Sequence, residues 1–488
     1  MLRLRRPPLF VCGITVCYCS FAQIGPPSGG AGSLPRVQQL PLDARPPNAG
    51  APNPGSISSG TAAPEPLSLT LQDAITRGLR YNLGPITAND EARAVRAQRM
   101  AAMAQLLPDL TGGVRETVQQ INLAAAGLRF NSPFPGFSFP TIVGPFNYVD
   151  ARAYFNETGS ITGFRNWRAT GELNRAAELS TKDSREIVTL AVANAYLQII
   201  ASAARVDTVR AQIVAAQAVY QQALDRNKSG LNARIDVNRS LVELQTQQQR
   251  LTSLSNDYEK QKLALARMIG LPFAQKFTLA DTIPYRALPE GNLEEMIARA
   301  LRDRTDIQAA AAQVKAAELA RSAARAEYLP SVDINADYGA LGVNPAQSHG
   351  TFLLSGGIRF PIFRFGRIRA DIGQADAVLA QRRAEHQDLR GRAEQEVRNA
   401  VLDITTASQQ VAVADSNRKL AAETLEQARD RFRAGVADTI EVVQAQESVA
   451  AAEQDYITAL YMFNLAQVSL ARAVGAAGEG VARLLQGR

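Results

Sequence analysis

The sequence predicts a mixed α/β membrane protein in which each chain gives four strands to a shared β-barrel that continues into long antiparallel helices. Three observations carry this prediction: an internal repeat over most of the chain, two very long helical patterns, and strands that alternate between apolar and polar side chains. The 488 residues are only 6% aromatic with a single Trp, whereas Ala, Gln, Arg and Leu are plentiful. This composition is typical of long helices that pack closely side by side.

The N-terminal segment has the pattern of a secretory leader. MLRLRRPP is positively charged, LFVCGITVCYC is a short apolar run, and small residues precede the expected cut. The pattern predicts a signal peptide over residues 1–22 with cleavage after Ala22. All three cysteines lie inside this leader, so cleavage would leave a chain without thiols. Lipidation of Cys19 is the alternative, although the residue before it is not the small one usual at such a cysteine.

Residues 23–66 are rich in Pro, Gly, Ser and Ala and have no periodicity, which predicts a flexible linker. The net charge of the chain is +7, and three of its arginines belong to the leader. A balance so close to neutral does not favour a nucleic-acid partner. Beyond the leader no run of about 18 apolar residues occurs, so no transmembrane helix is expected.

From Leu67 onward the chain is a tandem duplication. LQDAITRGLR (71–80) matches LEEMIARALR (293–302) at an offset of 222, and LARMIG (265–270) matches LARAVG (470–475) at an offset of 205. The difference, 222 minus 205, places 17 extra residues in the first copy, between the pair Leu107-Pro108 (matched by Leu329-Pro330) and its long helix. The expected divisions are a first repeat (67–272), a connection (273–292), a second repeat (293–475) and a tail (476–488).

Each copy has the same plan of helix, two strands and a hairpin of long helices. The expected helices are 85–106, 168–228 and 234–268 in the first copy, and 304–328, 365–432 and 439–474 in the second. A helix of roughly 60 residues is near 90 Å long, which indicates coiled-coil packing rather than a globular domain. Gly230 and Gly435 are expected at left-handed C-terminal positions, where they turn the chain back and make antiparallel hairpins.

The predicted strands are 110–124, 148–155, 331–342 and 351–363. In the last two, apolar side chains alternate with four polar ones, Asp333, Asn335, Asp337 and Arg359. Such alternation also fits a sheet that covers a soluble core. Export, a length near the 9–11 residues of membrane strands, and helices without a broad apolar face favour a membrane wall, with the polar set facing a lumen. Four strands cannot close a barrel, so several copies must share one, with eight strands in a dimer or twelve in a trimer.

These features resemble the TolC family of outer-membrane channel proteins. The resemblance is carried by the repeated LP starts of the strands, by GIRFPIFRFGR (357–367), and by the turns SGLNARIDV and AGVADTIEV. It covers about 67–475 and implies a homotrimer in the cell outer membrane, with a twelve-stranded barrel in lipid and a helical barrel across the periplasm. It also implies a passive exit duct for efflux or type I secretion, bound by a periplasmic adaptor and an inner-membrane pump of the RND or ABC type.

The resemblance also assigns roles to the two turns. The positions that would dock the adaptor are Gly230, Leu231, Gly435 and Val436. The positions that would line the periplasmic aperture are Glu441, Gln444, Asp438 and Asp236. A family arginine that latches the aperture corresponds to Ala437, so the closed state would depend on other contacts. Asp438 and Glu441 also fit a capping box, so helix capping alone is an equal interpretation of these two acids.

Catalysis finds no support in the sequence. No GxxxxGK[ST] phosphate loop occurs, and the two histidines, His349 and His386, have no metal-ligand spacing to a second histidine or a cysteine. We therefore expect no enzyme activity, no metal and no cofactor. Two other protein classes remain, a periplasmic adaptor and a soluble coiled-coil scaffold. An adaptor normally has one helical hairpin, and a scaffold would not explain the alternating strands.

Overall fold

A computed structural model describes residues 55–125, 127, 140–230, 233–281, 292–364, 366–434, 436 and 439–476. The first repeat contains β1 (Leu67–Leu69), α1 (Leu71–Tyr81), α2 (Leu83–Ala104), β2 (Asp109–Asn122), β3 (Ile142–Gly159), α3 (Ile161–Lys228) and α4 (Arg234–Met268), and the connection after it contains β4 (Phe277–Leu279). The second contains α5 (Leu293–Asp303), α6 (Thr305–Ala326), β5 (Ser331–Gly342), a 3₁₀ turn (Pro345–Gln347), β6 (His349–Arg359), α7 (Arg367–Arg433) and α8 (Thr439–Ala473). The predicted leader with its cut at Ala22, and nearly all of the predicted tail, lie outside the described residues.

The sequence repeat is also a repeat of structure. The long helices α3 and α7 have 68 and 67 residues, and their partners α4 and α8 have 35 residues each. Both hairpins keep the offset of 205, because the long helices end at 228 and 433 and the shorter ones at 268 and 473. Each residue of one hairpin therefore has a defined counterpart in the other.

Local capping explains where the helices begin. α3 starts well before the predicted position 168, because the Ser160 Oγ accepts a hydrogen bond from Gly163 N at 3.0 Å. α1 begins at a capping box in which Asp73 N donates to Thr70 Oγ1 at 3.1 Å. α5, its counterpart, is capped by Asn292. The sequence showed α1 and α5 as matching segments but did not define them as separate short helices.

The four long strands form one sheet in the order β2-β3-β5-β6. β2 and β3 are antiparallel from the pair Asp109–Asn156 to the pair Asn122–Ile142, with an irregularity after Gln119. β3 has 18 residues, more than twice the predicted segment 148–155. β2 and β6 are the outer strands, so each has a free edge within the part of the chain that the structure describes. The sheet belongs to a compact unit made of 108–158 and 332–358.

The other described residues form a helical unit with α3 at its centre. α3 packs against α2, α4, α6 and α8, and α7 packs against α6 and α8. A fully buried tyrosine, Tyr196, joins α3 to the β1–β4 pair, because its Oη forms hydrogen bonds with Leu69 O (2.8 Å) and Asp281 Oδ2 (2.9 Å). Leu71 N donates to the same carboxylate oxygen at 2.9 Å. Burial raises the pKa of Tyr196, so the phenol stays neutral.

α3 also contains a stretch that is long and apolar enough to cross a membrane, which the sequence did not lead us to expect. More than half of that stretch, 56%, is buried within the chain. It supplies Val188, Val192 and Ile199 to the hydrophobic cluster around Tyr196. This burial is typical of a core helix.

The end of the predicted linker is held in place. In the segment 55–66, Ile57 N donates to Tyr81 O at 2.9 Å and Ser59 N donates to Gly270 O at 3.1 Å. These hydrogen bonds tie the segment to the ends of α1 and α4. The described part of the linker is therefore fixed to the helical unit, while residues 23–54 lie outside the described residues.

Candidate functional site

The first part of the candidate site is a polar network on one face of the sheet. Arg152 on β3 donates through Nη1 to Asp337 on β5, through Nη2 to Thr351 Oγ1 at 2.9 Å, and through Nε to Asp150 Oδ1 at 3.2 Å. A single guanidinium therefore connects β3, β5 and β6. Since the Arg152 side chain is only 16% exposed, these bonds stiffen the sheet on its polar face.

Three of the four predicted lumen residues lie on β5, and the fourth, Arg359, lies on β6. Asp333 accepts a hydrogen bond from Thr158 Oγ1 at 3.1 Å, and Asp337 belongs to the Arg152 network. Asn335 is exposed between them, and Arg359 is the exposed last residue of β6. Their orientation toward a lumen stays a prediction, and the alternating pattern did not reveal Arg152, which connects three strands on this face.

The opposite face of the sheet is apolar and uncovered. Phe352 is 78% exposed and Val114 is 79% exposed, although neither side chain is polar. The other strongly exposed large apolar side chains on this face are Leu110, Val118, Val332, Ile334, Tyr338, Leu354 and Ile358. An exposed apolar surface of this size marks contact with a membrane or another protein.

The alternation has exceptions that the strand pattern alone could not assign. Glu116 and Asn147 share the apolar face, since they lie opposite Val149 and Val118 in the β2–β3 register. Leu353 lies on the polar side and is 59% exposed. The first-copy strands are therefore less strictly divided than β5 and β6.

The second part of the site is the pair of hairpin turns. Gly230 has a φ of +73°, the left-handed conformation expected after the end of α3. Val436 is exposed, and its N–H donates to Arg431 O at 3.0 Å beyond the end of α7. Leu231 and Gly435, the other two predicted docking positions, lie outside the described residues.

The predicted aperture residues are found near these turns, each with its own contacts. Glu441 Oε1 lies 3.4 Å from Arg431 Nη1, and Asp236 Oδ1 lies 3.8 Å from Arg239 Nη1. Gln444 is exposed, and its carbonyl accepts a hydrogen bond from Ser448. Asp438 lies outside the described residues, so its part of the predicted capping box stays a prediction.

A contact that the sequence did not reveal joins the two hairpins near their turns. The Arg226 guanidinium on α3 lies 4.2 Å from the centre of the Phe432 ring on α7, and its Nη2 donates to Phe432 O at 2.9 Å. Phe432 is buried in an apolar cluster with Val219, Ala428, Val442 and Ala445. Arg226 and Arg431 are counterparts in the repeat, yet the first bonds to the other hairpin and the second bonds to Glu441 on its own.

A buried ion cluster connects the two repeats farther along the helices. The Arg304 side chain, 4% exposed, donates to Asp306 at 2.7 and 3.1 Å and to Glu396 Oε2 at 2.5 Å. Arg472 on α8 donates to Asp183 and, at 2.9 Å, to Glu186 on α3. Arginine is suited to such buried pairs because its planar fork binds two carboxylate oxygens at once.

Burial and charge act in opposite directions within this cluster. Burial raises the pKa of Asp183 despite the opposing charge of Arg472, and burial likewise raises the pKa of Glu186. For Asp306 burial acts in the same upward direction, but the Arg304 guanidinium outweighs it and lowers the pKa. Asp306 is thus the carboxylate that depends most directly on Arg304.

Among the described residues, no group of three or more His, Cys, Asp or Glu side chains could hold a metal ion. His349 is exposed on β6, and His386 lies within α7.

Comparison with known proteins relates this chain to outer-membrane efflux proteins. The family model of the outer membrane efflux protein matches residues 296–476, which is the second repeat. The pyoverdine export outer membrane protein OpmQ of Pseudomonas putida is 28% identical over 58% of this chain and 61% of its own. The toluene efflux pump outer membrane protein TtgF of Pseudomonas putida is 27% identical over 62% of this chain and 64% of its own. The chain therefore spans less than two thirds of the length of these curated relatives.

Solved structures share the fold at low sequence identity. The outer membrane protein VceC of Vibrio cholerae superposes with a TM-score of 0.69 at 19% identity, over 83% of this chain and 96% of its own. The CmeC outer membrane channel of Campylobacter jejuni gives a TM-score of 0.70 at 14% identity, over 90% of this chain and 95% of its own. The predicted combination of long helices and four strands is confirmed. The second repeat matches the outer membrane efflux protein family, and the described fold is that of solved outer-membrane channels.

Proposed function

We propose that three copies of this chain form a channel in the outer membrane, which gives a passive exit duct for efflux or type I secretion. The observation that carries the proposal is the sheet, which has an exposed apolar face, a polar face and two free edges. The apolar face suits contact with lipid, and the Arg152 network suits a water-filled lumen. A soluble protein would have to cover the apolar face with another element.

The free edges support an assembly of several copies. In lipid each unpaired backbone N–H or C=O costs several kcal/mol, so β2 and β6 need partner strands. Three copies with four strands each give a closed barrel of twelve, within the range of known membrane barrels. β6 of one copy would pair with β2 of the next, which removes every edge.

The expected partners are an adaptor protein and an inner-membrane pump. Gly230 and Val436 lie at the hairpin turns, where an adaptor could bind exposed backbone and side chains. Glu441 and Asp236 would face the aperture, and three copies of Glu441 would form an acidic ring that attracts cations. The two relatives described above are named for pyoverdine and toluene, which are unlike molecules. We therefore assign the choice of cargo to the pump rather than to the channel.

The proposal can be tested by locating the protein and measuring its assembly. Membrane fractionation should recover it in the outer membrane, and an amine-reactive cross-linker should trap a trimer in detergent. Recovery as a soluble periplasmic monomer would contradict the channel and favour a scaffold.

Labelling of single cysteines tests the two faces of the sheet separately. Cysteines at Asp333 and Asp337 should react with a polar, membrane-impermeant maleimide, because these positions would face water in the lumen. Cysteines at Val332 and Tyr338 should stay unlabelled in membranes and react after detergent is added. Equal labelling of both sets in membranes would contradict the barrel.

A further inference from the structure

We propose that α4 of one copy packs against α7 of a second copy, and that an ion pair between Arg267 and Asp388 joins them. This contact between copies would repeat the contact that α8 makes with α3 within one chain. This inference rests on the proposed oligomer and assigns its helical seam residue by residue. It follows from the repeat and from the exposure of matched positions.

The α3–α8 junction is visible within one chain. Arg472 on α8 binds Asp183 and Glu186 on α3, with 2.9 Å between Arg472 Nη1 and Glu186 Oε2. Farther along the same helices, Tyr461 Oη donates to Asn194 Oδ1 at 2.7 Å. Arg205 Nη2 donates to Thr458 Oγ1 at 3.0 Å. These contacts hold the first repeat against the second.

The repeat predicts a second junction of the same kind. The operation that superposes the first repeat on the second takes α3 to α7 and α4 to α8. If the same operation is applied to the second repeat, it generates the first repeat of a neighbouring copy. The α3–α8 junction of one chain then corresponds to a junction between α7 of that chain and α4 of the neighbouring copy. The same operation takes the β3–β5 pair to a pair between β6 and the next β2. Both the free strand edges and the uncovered helix faces then gain a partner from a second copy.

Matched positions show that this face is uncovered in a single chain. Leu197 on α3 is 3% exposed, whereas its counterpart 205 residues later, Leu402 on α7, is 66% exposed. Val468 on α8 is fully buried, whereas its counterpart Leu263 on α4 is 49% exposed. At each of these two repeat positions, the apolar side chain at the α3–α8 junction is buried, whereas its counterpart on α7 or α4 is exposed. The difference indicates a missing neighbour rather than a solvent-facing helix.

The charges on the two uncovered faces are complementary. The counterparts of Arg472 and Asp183 are Arg267 on α4 and Asp388 on α7. Arg267 is exposed and makes no ion pair with any described residue, and Asp388, 69% exposed, binds Arg392 on its own helix at 2.7 Å. A second copy would bring Arg267 to Asp388 as Arg472 comes to Asp183. Glu186 corresponds to Gly391, so this junction keeps one of the two carboxylates.

Two further matched pairs predict where the seam can be cross-linked. The counterparts of Thr458 and Arg205 are Ser253 on α4 and Gln410 on α7, and both are exposed. We expect a variant with Ser253→Cys and Gln410→Cys to give covalent dimers and trimers with a short bismaleimide. The matched control combines Ser253→Cys with Asp403→Cys, because Asp403 and its counterpart Gln198 are both exposed, so this position has no expected neighbour. The unsubstituted protein gives the background.

Charge reversal tests the ion pair itself. Arg267→Glu and Asp388→Arg should each lower the fraction of trimer that survives mild heating in detergent, by roughly fivefold for a pair worth up to about 1 kcal/mol. The double variant restores the opposite charges and should recover most of the trimer. Asp403→Arg is the matched control on α7 and should leave the trimer unchanged.

An amine-reactive cross-linker applied to the same samples separates the two levels of the proposal. If it traps a trimer while the Ser253–Gln410 pair gives no more cross-linked product than the control pair, the proposed α4–α7 contact is wrong. The proposed trimeric channel is not contradicted by that result. A double charge variant that is as weak as the worse single variant would also overturn the Arg267–Asp388 pair. If neither reagent traps an oligomer, the proposed function itself fails.

Discussion

Removal of Arg304 should destabilise the helical unit more than any exposed substitution. Its buried side chain binds Asp306 through two hydrogen bonds, and Asp306 is itself only 13% exposed. Arg304→Leu keeps an apolar side chain in the space but leaves the Asp306 carboxylate without its cation. A buried charge that loses its partner costs about 3–5 kcal/mol.

At neutral pH, protonating Asp306 would not cost less free energy than leaving its buried carboxylate without a cation. Neutralising a carboxyl group costs about 1.4 kcal/mol for each unit between the pH and its pKa, so a group with an ordinary pKa near 4 needs about 4 kcal/mol at pH 7. Arg472 also acts on Asp306 and lowers its pKa, so some favourable charge remains after the substitution. We therefore expect a loss near 3 kcal/mol in the free energy of unfolding.

The assay is unfolding of the full chain in detergent, followed by far-ultraviolet circular dichroism. Arg302→Leu is the matched control, because Arg302 is 75% exposed and binds the neighbouring Asp303. It should leave the free energy of unfolding close to that of the unsubstituted protein, because the side chain is exposed. Adding Asp306→Leu to Arg304→Leu removes the orphaned charge and should restore most of the lost stability. A single variant as stable as the control, or a double variant no better than the single, would refute this reasoning.

Three further outcomes are expected. Gly230→Val should lower stability by about 1–2 kcal/mol and weaken adaptor cross-linking, because its φ is +73° although nothing crowds a Cβ there; unchanged stability and cross-linking would contradict a special turn. Glu441→Gln should lower cation selectivity in single-channel recordings with the trimer intact; unchanged selectivity would make the residue a helix cap bound to Arg431. The raised pKa of Asp183 means that the folded state binds a proton more readily than the unfolded state. The contribution of Asp183 to the free energy of unfolding therefore increases as pH falls through the folded pKa, and it is complete below the unfolded pKa of about 4. When the pH is lowered from 7 to 4, the free energy of unfolding should rise less in Asp183→Asn than in the unsubstituted protein. Equal rises in the two proteins would refute the assignment.

Most of the fold could be predicted from the sequence because it depends on periodicity and repetition. The offset of 205 recurs in the ends of both hairpins, and the alternation in β5 separates Asp333 and Asp337 from Val332 and Tyr338. The strand β3 was predicted too short, because its first half lies beside the proline-rich insertion and has a weaker pattern.

The contacts that fix the site were not predictable from local pattern. Tyr196 and Asp281 are far apart in the chain, and nothing in either segment points to the other. Arg304 has Asn82 as its counterpart, which is buried and donates to Met268 O at 3.1 Å, so the repeat itself gave no sign of a buried ion cluster. An arginine in place of an asparagine at the same helix junction was the one available signal.

The equal lengths of the two hairpins constrain how such a chain can change over evolution. One residue inserted in α4 would rotate everything after it by about 100° and advance it by about 1.5 Å, which removes each later side chain from its neighbour. The same insertion in α8 alone would break the match between the repeats. The extra 17 residues of the first copy accordingly lie outside the hairpins, before the start of α3. Insertions and deletions are thus tolerated between the strands. In the helical hairpins, an insertion would have to occur in both repeats together to keep them matched.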